Sequence, residues 1–156
     1  VPNLLPKRYL RCNLYGRTQA FNVMRRLRLP YSQAEEMFLR MVFNVVIRNQ
    51  DDHTKNISFL MDNVGKWRLS PAYDLGFAYN PKGAWTNTHQ MSINGKFDDI
   101  TRKDLQAFAI SNNIKNANEI IDKVCEVTSK WPEMAKNCGV PKEMIDARLP
   151  YMLLNI

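Results

Sequence analysis

Six consecutive residues, Asp51-Asp52-His53-Thr54-Lys55-Asn56, bring two carboxyl groups, an imidazole, an amine and an amide together. Charge removed from water is costly unless it is paired or bound to metal, so a polar cluster closing an apolar segment needs a reason. Asp51 and Asn56 are separated by four residues. From a turning loop, two oxygen-bearing side chains at that spacing can reach one site, one handling a proton and the other holding Mg²⁺. Downstream, Asp74-Leu75-Gly76 offers a further carboxylate followed by a flexible residue.

Three elements must position these groups. The spacing of Phe38, Met41, Val42, Val45 and Val46 predicts a buried helix over 32–49. Ser32 and Glu35 have the spacing of a capping box at its start. A hairpin follows, with strand 57–61, turn 62–66 and return strand 67–70, ended by Pro71. Such a hairpin would fold Asp74 back beside Asn56. Upstream, Phe21, Met24 and Leu27 predict an amphipathic helix over 18–28, stopped at Pro30. Residues 1–16, with Pro2, Pro6 and Gly16, read as irregular. Residues 75–100, with Gly76, Pro81, Gly83 and Gly95, read as a long functional loop. Thr101 with Asp104 begins a helix to about Asn112. Asn116 with Glu119 begins another, with Ile120, Ile121, Val124 and Val127 on one face. Pro141 suits the first turn of a last short helix. The apolar end Met152–Ile156 receives no element.

The chain has 156 residues, enough for one compact domain. Its 45% hydrophobic and 24% charged content excludes disordered and collagen-like classes. No run approaches the roughly 18 apolar residues of a membrane span, and no signal peptide opens the sequence. The start at Val1 suggests a fragment or a processed product. The net charge of +7 has one origin. Residues 1–50 hold nine basic groups against Glu35 and Glu36, whereas the remainder is balanced. That third could face nucleic acid, a phosphate-bearing ligand or an acidic partner, or be a solvated helix face. Cys12, Cys125 and Cys138 are too scattered for a zinc site or a disulfide framework. Reduced thiols and a cytoplasmic location are expected.

Asp…Asn…Asp placed on a loop, past a hairpin and after its return strand is the layout of kinase phosphoryl transfer. The D-x-H-x-x-N pattern at Asp51 is similar to that of phosphatidylinositol kinases, and D-x-G at Asp74 to the metal element of protein kinases. The stretch from about Tyr31 to Lys96, through MVFNVVIRNQDDHTKNISFLMD, WRLSPAYDL and HQMSINGK, resembles the HipA serine/threonine kinases of bacterial type II toxin–antitoxin systems. A looser likeness continues to about Ala147. The resemblance implies a mainly α fold with a small β-hairpin, the C-lobe of the protein-kinase and phosphatidylinositol-kinase superfamily. It implies Asp51 as catalytic base, Asn56 and Asp74 as Mg²⁺ ligands, and ATP as phosphoryl donor. It also implies a protein substrate such as an aminoacyl-tRNA synthetase, and a HipB-like DNA-binding antitoxin as partner. DNA would then be met only through the antitoxin, and no membrane is involved.

No Gly-rich phosphate loop or strand-borne Lys precedes Asp51. An N-lobe is therefore expected to come from elsewhere, in cis or in trans. Asp51, Asn56 and Asp74 could instead cap turns or a strand end. His53 reads as a backbone brace, Lys55 as a phosphate contact or the partner of Asp52, and Asp52 as a solvated loop acid. His89 reads as a packing residue, with substrate or nucleotide contact as the alternative. Trp67, Trp85 and Trp131 read as core or groove-lining, and Met37, Met41, Met134 and Met144 as core filler. Two functions stay open: a Mg²⁺-ATP-dependent kinase lobe, or an incomplete kinase that binds a partner or nucleic acid through its basic third.

Overall fold

A computed structural model describes residues 16–156. The irregular stretch expected over 1–16, with Lys7, Arg8, Arg11 and Cys12, lies outside the described residues except for Gly16. The fold is mainly helical with one small antiparallel sheet, as expected. Its helices are α1 (Arg17–Arg26), α2 (Tyr31–Val46), α3 (Arg102–Ser111), α4 (Ala117–Ser129), α5 (Trp131–Asn137) and α6 (Lys142–Arg148). Among the described residues no helix is long and apolar enough to cross a membrane.

Helix α2 is the axis of the core and packs chiefly on α4. Phe38, Val42, Val45 and Val46 are fully buried on it, and Ile121 is fully buried on α4. Burying one such side chain contributes about 1.5–3 kcal/mol. Phe21 of α1 meets Phe108 of α3 edge to face, with ring centroids 5.3 Å apart.

Both ends of α2 differ from expectation. The Ser32–Glu35 capping box does not form. Pro30 is already extended and occupies the cap, so the helix starts at Tyr31 and Ser32 is inside it. The helix stops at Val46 rather than 49. Arg48 turns left-handed at φ 60°, and the Asn49 N–H reaches back to the Asn44 carbonyl at 2.8 Å. This is a Schellman closure made without glycine.

The hairpin is shorter than predicted but in place. Strands β1 (Phe59–Met61) and β2 (Trp67–Leu69) pair Phe59 with Leu69 and Met61 with Trp67. Asp62 Oδ1 accepts from the Val64 and Lys66 N–H groups and so shapes the turn. Two strands are marginal by themselves. Here buried Leu69 and its N–H bond to Gln33 Oε1, at 2.6 Å, fasten the hairpin to α2.

Residues 70–101 form no helix or strand, yet Met91 and Ile93 are buried. The Thr101–Asp104 capping box is present at the start of α3. In α4, Ile120, Ile121 and Val124 are buried, but Val127 is 46% exposed and Thr128 takes its inward place. Helix α5 follows directly and had no separate signal. Met134 and Met144 are exposed, not core filler, because α5 and α6 lie at the periphery and bury little beyond Ala135 and Ile145. Trp85 is 73% exposed on its loop and is likewise not part of the core. The end of the chain now has a place. Met152 is buried, and the Leu153 N–H donates to the Val46 carbonyl at 2.8 Å, closing the open end of α2.

Candidate active site

The closure of α2 sends the chain into the polar cluster with fixed direction. Buried Asn49 donates from Nδ2 to Asn44 Oδ1 and to the Asp74 carbonyl, each at 3.0 Å. The Gln50 N–H donates to the Ala78 carbonyl, and the Ala78 N–H to the Arg48 carbonyl, both at 3.1 Å. The loop before Asp51 and the segment after Asp74 are thus laced together by backbone.

Adjacent acids then part ways. Half of the Asp51 side chain is open to solvent, whereas that of Asp52 is 1% exposed. Residues Thr54–Asn56 make one turn of 3-10 helix. The Asn56 N–H donates to the His53 carbonyl at 3.0 Å, and its Nδ2 to the Asp51 carbonyl at 3.1 Å. Asp51 and Asn56 therefore share one closed turn. His53 places Nε2 at 3.9 Å from Asp51 Oδ1. Its Nδ1 is buried with no hydrogen-bond partner among the described residues, so the expected side-chain brace is not made.

Asp74 is exposed, with a left-handed φ of 55° that small polar residues tolerate. Its neighbour Tyr73 donates its hydroxyl to the Lys55 carbonyl at 2.7 Å and lies 3.2 Å from Ser58 Oγ. The hairpin thus returns the Asp74 segment to the Asp51–Asn56 turn. A cavity of about 30 Å³ separates α2 from these loops, bordered by Arg40, Asp52, His53, Asn56 and Tyr73. It holds no more than a water or two, so a larger ligand would lie across its mouth.

Asp52 is the correction of greatest consequence. It is not a solvated acid, and its partner is not Lys55, whose side chain is exposed. Arg17 Nη2 donates to Asp52 Oδ2, His89 Nδ1 donates to the same oxygen at 2.7 Å, and the Gln90 N–H donates to Oδ1 at 2.7 Å. Burial pushes the Asp52 carboxyl up, but the Arg17 charge, His89 and the Gln90 N–H together outweigh it and hold the group below the usual carboxylate range. Burial also lowers the Arg17 guanidinium, with Asp52 opposing. His89, expected as a packing residue, is buried with its ring on the Asp52 carboxylate. The partners lie 35 and 37 positions from Asp52, beyond any local pattern.

Among the described residues of the basic third, Arg25, Arg26 and Arg28 are exposed, whereas three others are paired. Arg17 is consumed by Asp52. Arg40 binds Glu36 at 2.8 Å and the Ser70 carbonyl at 3.0 Å. Arg48 binds Asp98 at 3.2 Å and stacks 4.3 Å from the Tyr79 ring centre.

In donor type, the side chains of Asn56 and Asp74 are those a hard cation takes. Asn56 commits its Nδ2 to Asp51 and leaves its oxygen available, and the Asp74 carboxylate makes no ion pair among the described residues. No three His, Cys, Asp or Glu side chains converge on a metal centre among the described residues. One carboxylate and one amide oxygen suit Mg²⁺, which keeps waters and takes its remaining oxygens from phosphate.

The family model of the HipA-like C-terminal domain matches residues 4–131. No curated protein matches the chain.

Proposed function

The chain belongs to the HipA-like C-terminal domain family, and from that premise we propose that it is the catalytic lobe of a Mg²⁺-ATP-dependent serine/threonine protein kinase of a toxin–antitoxin pair. One observation carries the reading. Asp51 is open to solvent within a turn closed by Asn56, while its neighbour Asp52 is locked inside. A proton acceptor must meet its substrate, and an accessible carboxylate on a held backbone can do so.

Asp51 accepts the proton of the attacking hydroxyl. Asn56 and Asp74 hold Mg²⁺, which when bound neutralises charge on the phosphates. Lys55, exposed on the same turn, meets a phosphate oxygen in this reading. The triphosphate is gripped by an N-lobe supplied in cis or in trans. The substrate is a protein, with an aminoacyl-tRNA synthetase as the first target to try. A HipB-like DNA-binding antitoxin restrains the enzyme and makes its only link to DNA.

Transfer of radiolabelled phosphate to protein tests this. Residues 1–156 alone should show negligible turnover, and addition of an N-lobe should restore it. In the complete enzyme Asp51→Asn should slow transfer by about 10²–10⁴-fold, the range for a general base. Asp74→Ala should abolish Mg²⁺-nucleotide binding. Full activity of Asp51→Asn would overturn the assignment, and rapid turnover by the isolated chain would place the nucleotide elsewhere.

A further inference from the structure

The loop that carries the solvent-open Asp51 carboxylate also carries a buried one, Asp52. We propose that Arg17, Asp52 and His89 form a buried positioning cluster that sets the direction of the Asp51 carboxylate and the Asn56 amide. The proposal rests on the reading of Asp51 and Asn56 as the site.

Three segments far apart in sequence converge on one carboxylate. Arg17 opens α1, Asp52 sits inside the loop, and His89 and Gln90 belong to the long segment before α3. The Arg17 N–H also donates to the Ser92 carbonyl at 3.0 Å, so α1 and that segment are joined by backbone as well. Arg17, Asp52 and His89 are each no more than 5% exposed. Both oxygens of Asp52 are satisfied, which is the condition for a buried charge to be tolerated. Among the described residues, by contrast, the Asp51 carboxylate accepts no hydrogen bond, and the one basic side chain within 4 Å is His53, at 3.9 Å. Its aim is therefore inherited from the backbone on either side. On one side Gln50 is tied to Ala78. On the other the backbone is fixed by the Asp52 side chain. Asn56 follows, because its N–H and Nδ2 both bind carbonyls of this short stretch, those of His53 and Asp51. Well-packed apolar residues could match the stability of such a cluster. What they would not supply is three directional bonds to a residue adjoining the proton acceptor.

The test uses the full chain and Asp52→Asn, which keeps shape and removes charge. Hydrogen–deuterium exchange is followed over 50–58 and over α4, together with binding of Mn²⁺-ADP in the presence of an N-lobe as the probe of the metal site. Exchange over 50–58 should quicken about tenfold or more beyond any rise in α4, which reports the loss of global stability, as for local opening. Mn²⁺-ADP binding by the variant should weaken by a similar factor. Arg17→Met should act likewise, and Arg17→Lys, which keeps a charge, should recover most of the protection. Should Asp52→Asn fail to fold, the Arg17 pair is read by the same criteria. Unchanged exchange over 50–58, or an equal rise in α4, overturns the proposal. Local quickening in a protein whose native form binds no Mn²⁺-ADP even with an N-lobe present upholds the cluster and rejects the metal reading instead.

Discussion

Adjacent carboxylates take opposite roles at the site because only one is paired. Asp52 is buried against Arg17 and His89, while Asp51 is open. Removing one member of a buried pair strands the other, so Asp52→Ala should destabilise the domain by about 3–5 kcal/mol in chemical denaturation. The pH dependence has a definite sign. The folded-state carboxyl of Asp52 lies below its ordinary value. Its stabilisation is therefore complete above the unfolded value, near pH 4, and is lost as pH falls further through the folded value. Acid titration followed by circular dichroism should show the native protein losing stability below about pH 4. Asp52→Asn should lack that component. A variant with the same acid limb would show that Asp52 is not ionised in the native state.

At the scale of elements, one signature had two outcomes. Thr101 with Asp104 and Ser32 with Glu35 share the same spacing, yet only the first forms a capping box. At Thr101 nothing competes for the cap, whereas Pro30 takes that place before Ser32 can. Thr101→Ala should cost about 1 kcal/mol in thermal or denaturant unfolding, while Ser32→Ala should cost almost nothing. Burial works against the Asp104 carboxylate, but Lys96 and Thr101 hold it down to about 2. The contribution of Asp104 should persist at neutral pH and fade between about pH 4 and 2. Helix α3 ends as α2 does. Asn113 is left-handed at φ 60°, and the Ile114 N–H returns to the Ala109 carbonyl at 2.9 Å. Asn113→Gly should be tolerated, and Asn113→Val should cost about 1–2 kcal/mol in the same assay. Equal stabilities would show that this end is not constrained.

For the whole molecule, the apolar end of the chain is a structural part and not a tail. Met152 is buried, Leu153 closes α2 through Val46, and Leu154 and Ile156 pack against the core. Met152→Ala should cost about 2–5 kcal/mol, the range for a large-to-small change in a core. Deletion of 152–156 should lower the cooperative melting of the entire domain. A melt that leaves the main transition in place would show that these residues only rest on the surface.

Features carried by neighbours in sequence were legible without a structure. The helical period of Phe38 to Val46 marked the buried axis, and the switch to alternating residues marked the hairpin. Asp51, four residues and Asn56 marked the candidate site, because one turn of chain fixes that spacing. The hairpin's return led to the expectation of Asp74 beside Asn56; in the structure the Asn49 side chain bonds the Asp74 carbonyl and the Tyr73 hydroxyl bonds the Lys55 carbonyl. What the sequence could not decide was which polar residues leave water. Asp52 reads like Asp51 until Arg17 and His89 arrive from distant segments. Met134 reads like Met41 until its helix falls at the edge of the core. Local pattern determines which backbone forms, since its hydrogen bonds span a few residues. Burial of charge is settled by long-range partners, because a desolvated ion is stable only where the fold delivers its counter-charge.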